Sequence, residues 1–120
     1  MASFIAKLEK LWAEDKFVCI GLDPVGDMLP PSITKKYKSV NEQYFQFNKA
    51  IIDSTHDLVC AYKPQVAHYE EQGVDGWKAL EKTAKYLQKN YSKIPVIIDA
   101  KRTDIGSTNT SYAKSFFDQM

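Results

Sequence analysis

The sequence predicts an α/β fold in which a parallel sheet is covered by amphipathic helices. Three short apolar runs, at residues 17–23, 58–65 and 94–101, alternate with longer segments whose apolar residues recur every three or four positions. The runs are continuous rather than alternating, as in strands that are buried on both faces. This order of elements favours adjacent parallel strands joined by right-handed crossovers.

The first unit is predicted to begin with a leading helix that has Ser3 as its N-cap. Its apolar residues recur at helical spacing: Phe4, Ile5, Leu8, Leu11 and Trp12. The first strand, Phe17 to Asp23, ends on a carboxylate and is stopped by Pro24. Residues 24–39 are rich in proline and predict a long loop, and residues 41–55 return to helical spacing.

The second and third units repeat this design. The second strand, Leu58 to Gln65, again ends on a charged residue followed by proline, and the helix after it is predicted to have Asp75 as its N-cap. The third strand, Ile94 to Lys101, has the strongest strand pattern in the chain. A last helix is predicted to begin near Ser107.

The composition indicates one folded globular domain, or part of one. Hydrophobic residues make up 44% and charged residues 26% of the 120 residues, and the net charge is only +1, so a nucleic-acid partner is not expected. Neither a signal peptide nor a membrane-spanning run is expected. Cys19 and Cys60 each lie inside an apolar run, which predicts reduced, buried thiols in a cytoplasmic protein. His56 and His68 lack metal-ligand spacing and are expected to be packing or surface residues.

Polar residues follow each predicted strand at its carboxyl end. Because parallel strands share one rim at these ends, where barrel enzymes keep their chemistry, the side chains should converge. The residues concerned are Asp23, Lys63, Gln65, Asp99, Lys101 and Asp104.

Asp99 and Lys101 form the centre of this predicted site. They are two positions apart, so in an extended strand both side chains point to the same side of the sheet, and each stabilises the ionised form of the other. Lys63 and Asp104 would extend the pair to four alternating charges. Asp99 directly follows an apolar run, so its carboxylate needs either a partner or a function. A purely structural salt bridge between Asp99 and Lys101 is the alternative.

Three motifs carry a family resemblance: I-G-L-D-P at 20–24, A-Y-K-P-Q-V-A-H-Y-E at 61–70 and D-A-K-R-T-D-I-G-S-T at 99–108. Together they resemble the orotidine 5′-monophosphate decarboxylases, most closely the longer microbial branch, in which Phe47 and Asn48 also match. The resemblance implies the N-terminal part of a (β/α)8 TIM barrel, about three strand-helix units with a leading helix. Residues 1–120 are then a partial domain without the C-terminal phosphate-binding loops, and the chain alone is expected to bind nucleotide poorly.

The implied activity is decarboxylation of orotidine 5′-monophosphate to UMP in de novo pyrimidine biosynthesis, with no cofactor and no metal. By resemblance, Asp23 binds a ribose hydroxyl, and Lys63 contacts ribose and belongs to the charge network. Asp99 faces the substrate carboxylate, and Lys101 protonates C6 as carbon dioxide leaves.

The remaining carry-overs concern a homodimer with shared active sites and two further substrate contacts. Asp104, Ile105 and Thr108 match residues that reach into the neighbouring subunit's site. Asn48 and Gln65 match substrate-binding positions, although each could equally be a packing or hydrogen-bonding residue.

Two other functions stay open from the sequence. A metal-dependent sugar-phosphate decarboxylase or hexulose-phosphate synthase of the same barrel suite shares the D-x-K-x-x-D pattern, but its second strand resembles one ending in an acidic residue rather than Lys63. The chain could also be a non-catalytic half-barrel that acts only as an assembly module.

Overall fold

A computed structural model describes residues 3–119. This part of the chain contains two strands, six α-helices and one 3-10 turn at Gly26–Met28. In chain order the elements are α1 Phe4–Trp12, β1 Val18–Gly21, α2 Pro31–Thr34, α3 Val40–Thr55, β2 Val59–Lys63, α4 Ala67–Glu70, α5 Gly73–Asn90 and α6 Gly106–Phe117. None of these helices is long and apolar enough to cross a membrane.

The sheet has the predicted parallel arrangement. β1 pairs with β2, with Ile20 opposite Tyr62 and Gly21 opposite Lys63. The ladder continues one step past β1, where the Leu22 amide donates to the Lys63 carbonyl over 3.2 Å. The residues that follow the two strands are therefore held side by side.

The third predicted strand follows β2 without forming a continuous ladder. Val96 bridges Tyr62 and Asp99 bridges Gln65, both in parallel register. The Tyr62 and Val66 amides donate to this segment, at 3.1 Å each, but Pro64 lies between them and has no N–H to donate. The prediction of a third extended segment beside β2 is correct, and the prediction of an unbroken strand is wrong.

The main core lies between the sheet and the helix pair α3 and α5. Its fully or almost fully buried residues come from every layer: Leu22, Ile52, Val59, Tyr62, Leu87 and Ile94. A second cluster, which includes Tyr44 and Tyr69, joins α3, α4 and α5. The leading helix α1 packs Leu8 and Leu11 on Cys60 and Ala61, near the amino end of β2.

The two strands differ in burial, which corrects one prediction. In β2 the residues from Val59 to Tyr62 are buried, as expected of a strand with a neighbour on each side. In β1, Val18 is 55% exposed and Cys19 is also exposed, although Cys60 is buried. β1 has a paired neighbour on only one side within residues 3–119, so the prediction of burial for β1 and for the Cys19 thiol is wrong.

The helix boundaries agree with the sequence at most ends. Ser3 caps α1, because its Oγ accepts from the Ala6 amide at 3.2 Å. Asp75 does not cap α5, which begins earlier, at Gly73, with Gln72 in the cap position. The predicted loop at 24–39 also contains the 3-10 turn and the short helix α2, which Pro31 begins.

Gly76 allows α5 to lie directly on α4. A Cβ atom at this position would stand 1.8 Å from the Tyr69 carbonyl oxygen and 2.6 Å from its carbon. These are backbone atoms, which cannot rotate away as a side chain could. The close approach fixes α4, and with it Tyr69, against the longer helix.

Candidate active site

The centre of the site is the carboxylate of Asp99, held between two lysines. Lys101 Nζ donates to both of its oxygens, at 2.7 Å and 2.8 Å, and Lys63 Nζ lies 3.5 Å from Oδ2. The Asp99 side chain is 26% exposed and that of Lys101 is 71% exposed. The cluster therefore lies at the surface of the rim, where a ligand can reach it.

The backbone brings Asp99 and Lys101 together by a different route from the one predicted. Asp99 is fixed on β2, because its amide donates to the Pro64 carbonyl and its carbonyl accepts from the Val66 amide, both at 3.1 Å. Lys101 has left the extended conformation, with a left-handed φ of 48°. The contact follows from this turn and not from strand alternation.

The lysines keep Asp99 ionised. The hydrogen bond from Lys101 is the largest effect and lowers the pKa of Asp99 below its usual range; burial opposes it, and the charges of Lys101 and Lys63 lower the pKa further. Because the pKa is lowered in the folded state, ionised Asp99 favours folding above its ordinary pKa. This contribution is lost as the pH falls through the lowered value.

We expect Lys101→Ala to raise the pKa of Asp99 toward its ordinary value, because the largest cause of the lowering is removed. Carbon-13 NMR titration of the Asp99 carboxyl group measures this directly. Lys85→Ala is the matched control, since Lys85 pairs with Glu81 on α5. An unchanged Asp99 titration in Lys101→Ala would contradict the contact described here.

Gln65 links the two carboxylates of the rim. Its backbone amide donates to Asp23 Oδ1 at 2.8 Å, and its side-chain Nε2 donates to Asp99 Oδ2 at 3.1 Å. The structure thus brings five sequence-predicted site residues into one connected group. They are Asp23, Lys63, Gln65, Asp99 and Lys101.

The carboxylate of Asp23 also lies over Gly21. A Cβ atom on Gly21 would stand 2.9 Å from Asp23 Oδ2, closer than real Cβ contacts. The atom it meets is the end of a side chain, so the carboxylate can rotate away. The absence of a side chain at residue 21 therefore leaves room for the Asp23 carboxylate in its observed position.

We expect Gly21→Ala to displace the Asp23 carboxylate while changing stability little. The measurable result is weaker protection of the Gln65 amide against hydrogen exchange, because that amide loses its acceptor. Gly106→Ala is the control, since nothing lies within 4 Å of a Cβ atom there. If Gln65 exchanges at the same rate in Gly21→Ala and in the parent, the packing of Asp23 on Gly21 has no consequence.

Asp104, Ile105 and Thr108 lie apart from this group, at the start of α6. Asp104 Oδ1 accepts from the Ile105 amide at 2.7 Å, and Ile105 is 71% exposed. Within residues 3–119, no hydrogen bond or ion pair joins Asp104 to Lys63, Asp99 or Lys101. The expected network of four charges thus has three members in this chain.

Asn48 occupies the interior and not the rim. It is fully buried, and its Nδ2 donates to Tyr69 Oη at 2.8 Å and to Thr83 Oγ1 at 3.0 Å. An amide that is fully buried, with its NH2 group bonded in this way, is not open to a ligand at the rim. We therefore leave Asn48 out of the substrate-binding group and assign it to packing and hydrogen bonding, the alternative that the sequence had left open.

Sequence reasoning missed Arg102, which lies next to Lys101. Its guanidinium donates to the Ala100 carbonyl at 2.6 Å, pairs with Glu70 of α4, and lies 5.9 Å from the ring centre of Tyr112 in α6. The contacts fix the turn that carries Lys101. The only signal in the sequence was the arginine within D-A-K-R-T-D, whose distant partner Glu70 could not be identified.

Within residues 3–119, no group of three or more histidine, cysteine, aspartate or glutamate side chains is arranged to hold a metal ion. His56 stacks on Tyr91 with ring centres 4.6 Å apart, as a packing residue does.

Comparison with known proteins gives one consistent family. The sequence profile of the orotidine 5′-phosphate decarboxylase / HUMPS family matches residues 16–120. An orotidine 5′-phosphate decarboxylase of Christiangramia forsetii is 47% identical over 112 residues, which are 93% of this chain and 40% of that protein. One of Cellvibrio japonicus is 48% identical over 118 residues, 98% of this chain and 42% of that protein. The chain thus spans about two-fifths of the length of these curated relatives.

Solved structures agree. A Leishmania donovani OMP decarboxylase superposes with a TM-score of 0.78 at 33% identity, covering 98% of this chain and 41% of that one. A UMP synthase of the same organism superposes with a TM-score of 0.78 at 33% identity, covering 99% of this chain and 23% of that one. The predicted fold class, an α/β part of a TIM barrel, is confirmed.

Proposed function

Because the chain belongs to the orotidine 5′-phosphate decarboxylase / HUMPS family, we propose that it supplies the charged half of an active site that converts orotidine 5′-monophosphate to UMP. The observation that carries this proposal is Asp99 held between Lys63 and Lys101 at the carboxyl rim of the sheet. The pathway served would be de novo pyrimidine biosynthesis.

The geometry suits decarboxylation without a cofactor. Loss of carbon dioxide from C6 of the pyrimidine leaves a carbanion-like centre, which a fixed ammonium stabilises more than it stabilises the neutral ground-state ring carbon. Lys101 is the group we assign to this role and to protonation of C6. Asp99 holds Lys101 through two hydrogen bonds and would face the substrate carboxylate.

Asp23 and Lys63 would bind the ribose. Asp23 lies two residues past the end of β1 and Lys63 is the last residue of β2, and the Leu22 to Lys63 backbone hydrogen bond of 3.2 Å holds these ends together. Gln65 would orient the Asp23 and Asp99 carboxylates toward one ligand through its two donors.

We further propose a cytoplasmic homodimer in which Asp104, Ile105 and Thr108 contribute to the partner's site. Two features support this reading. All three residues lie at the start of α6, apart from the Asp99 group of their own chain, and Ile105 is an exposed apolar side chain. Both cysteines are free, as in proteins of a reducing compartment.

The test uses this 120-residue chain joined to the C-terminal part of the Christiangramia forsetii relative, called here the completed chain. It should convert orotidine 5′-monophosphate to UMP, and a chelator should leave the rate unchanged. Loss of activity with the chelator would favour the metal-dependent sugar-phosphate reading, and a folded completed chain with no decarboxylation would overturn the proposal.

The 120-residue chain alone provides a second measurement. Calorimetric titration with 6-hydroxyuridine 5′-monophosphate, a mimic of the carbanion, should show weak binding, because the phosphate of the ligand lacks its loops. Tight binding that Lys101→Ala abolishes would mean that the rim assembled here suffices for recognition.

A further inference from the structure

The phenol of Tyr69 is fully buried beneath the rim and bonded to the backbone of the first strand unit. Tyr69 Oη donates to the Leu22 carbonyl oxygen at 2.5 Å, although the two residues are 47 positions apart in sequence. Leu22 directly precedes Asp23 and donates its own amide to Lys63. The hydroxyl therefore fixes the peptide that joins Asp23 to the sheet.

A chain of hydrogen bonds sets the direction of this contact. Thr83 Oγ1 donates to the Ala79 carbonyl at 2.8 Å, so it has only lone pairs left for Asn48. Tyr69 Oη likewise has only lone pairs left for Asn48, because it donates its proton to the Leu22 carbonyl oxygen. Asn48 must then present its NH2 group to both hydroxyl oxygens, as its Nδ2 contacts of 2.8 Å and 3.0 Å require.

The orientation of Asn48 leaves its carbonyl oxygen without a hydrogen-bond partner in a buried position within residues 3–119. A buried acceptor without a partner is unfavourable, so the two bonds made by the NH2 group must outweigh it. Burial raises the pKa of Tyr69, which keeps the phenol protonated as a donor. The Tyr69 hydroxyl therefore donates its proton to the Leu22 carbonyl oxygen.

We propose that Tyr69 is a positioning residue for Asp23, with Asn48 as its support, and that it tunes binding of the ribose part of the substrate. The inference rests on the proposed function. Asp23 is held from two sides, because the Gln65 amide fixes its carboxylate at 2.8 Å and Tyr69 fixes its preceding carbonyl at 2.5 Å. Removing the phenol oxygen releases the second of these contacts and leaves the ring in place.

The test is Tyr69→Phe in the completed chain. We expect KM for orotidine 5′-monophosphate to rise about 2- to 10-fold, the range that corresponds to one net hydrogen bond. The value of kcat should change less. A variant that merely unfolds in part would lower the apparent kcat through the amount of active protein and leave KM unchanged, so the rise in KM separates positioning from stability.

Tyr44→Phe is the matched control. Tyr44 is a fully buried tyrosine of the same cluster, 6.0 Å from Tyr69 between ring centres, and its Oη lies beside Gly26 with no hydrogen-bond partner of good geometry in the described residues. Its KM should equal that of the parent.

A double-mutant cycle with Asp23→Ala decides whether Tyr69 acts through Asp23. If it does, Tyr69→Phe has no further effect on KM once Asp23 is absent. An equal rise in KM with and without Asp23, or an unchanged KM in Tyr69→Phe alone, would overturn the proposal.

A parent enzyme with no decarboxylase activity would instead overturn the proposed function. The hydrogen exchange of the Gln65 amide, expected to be faster in Tyr69→Phe, would then still test the positioning of Asp23.

Discussion

Replacing Lys101 by alanine is expected to lower kcat of the completed chain by about 10²- to 10⁴-fold, the usual contribution of a positioned proton donor. Lys101 Nζ is bonded to both oxygens of Asp99. Under the proposed function its removal would take the proton source away from C6. It would also take away the cation proposed to stabilise the developing negative charge. KM should change less, because Asp23 and Lys63, the residues proposed to bind the ribose, are left in place. Steady-state rates with orotidine 5′-monophosphate measure both values.

Lys101→Arg separates the two roles proposed for this lysine. A guanidinium keeps the positive charge but holds its proton too firmly to donate it, so the rate should stay low. Lys85→Ala, on the outer helix α5, is the control for loss of a surface lysine and should be as active as the parent. A Lys101→Ala variant with the activity of the parent would refute the role assigned to Lys101.

The largest effect on stability is expected from Gly76→Ala. The new Cβ atom would stand 1.8 Å from the Tyr69 carbonyl oxygen, so α5 must move away from α4. Overpacking of this kind costs about 1–3 kcal/mol, against a gain of up to about 1 kcal/mol from the better helix propensity of alanine. The net loss should lower the melting temperature by about 5 °C, measured by circular dichroism.

Gly106→Ala provides the comparison for Gly76→Ala. It also places alanine in a helix, but no atom lies within 4 Å of the new Cβ. We expect its melting temperature to equal or slightly exceed that of the parent. A Gly76→Ala variant as stable as Gly106→Ala would show that the two helices can separate at little cost.

The sequence predicted the features of this chain that depend on local pattern. Apolar runs that end on charged residues predicted β1, β2 and the third extended segment. The carboxyl ends of parallel strands share one rim. The same rule predicted that Asp23, Lys63 and Asp99 lie together. The (β/α)8 barrel itself came from the resemblance, since three units of a parallel sheet do not by themselves specify closure.

The predictions differ from the structure where contacts between distant parts of the chain determine the local conformation or burial. Burial of β1 depends on neighbours on both of its sides, which a single strand pattern cannot reveal. The interruption at Pro64 depends on register. A proline breaks the ladder only at a position whose N–H would have donated to the neighbouring segment. Asn48 is held in the interior by hydrogen bonds to Tyr69 and Thr83, which lie 21 and 35 positions away in sequence.

The backbone of Asp99 and that of Lys101 differ in a way that bears on conformational entropy. Asp99 is bonded to β2 through both its amide and its carbonyl, so its position is set before a ligand arrives. Lys101 stands on a turn with an exposed side chain, and a free lysine has up to about 2 kcal/mol of rotamer entropy to lose. Its two hydrogen bonds to Asp99 remove part of that freedom in the unliganded protein. A ligand would therefore meet a lysine that is already partly ordered.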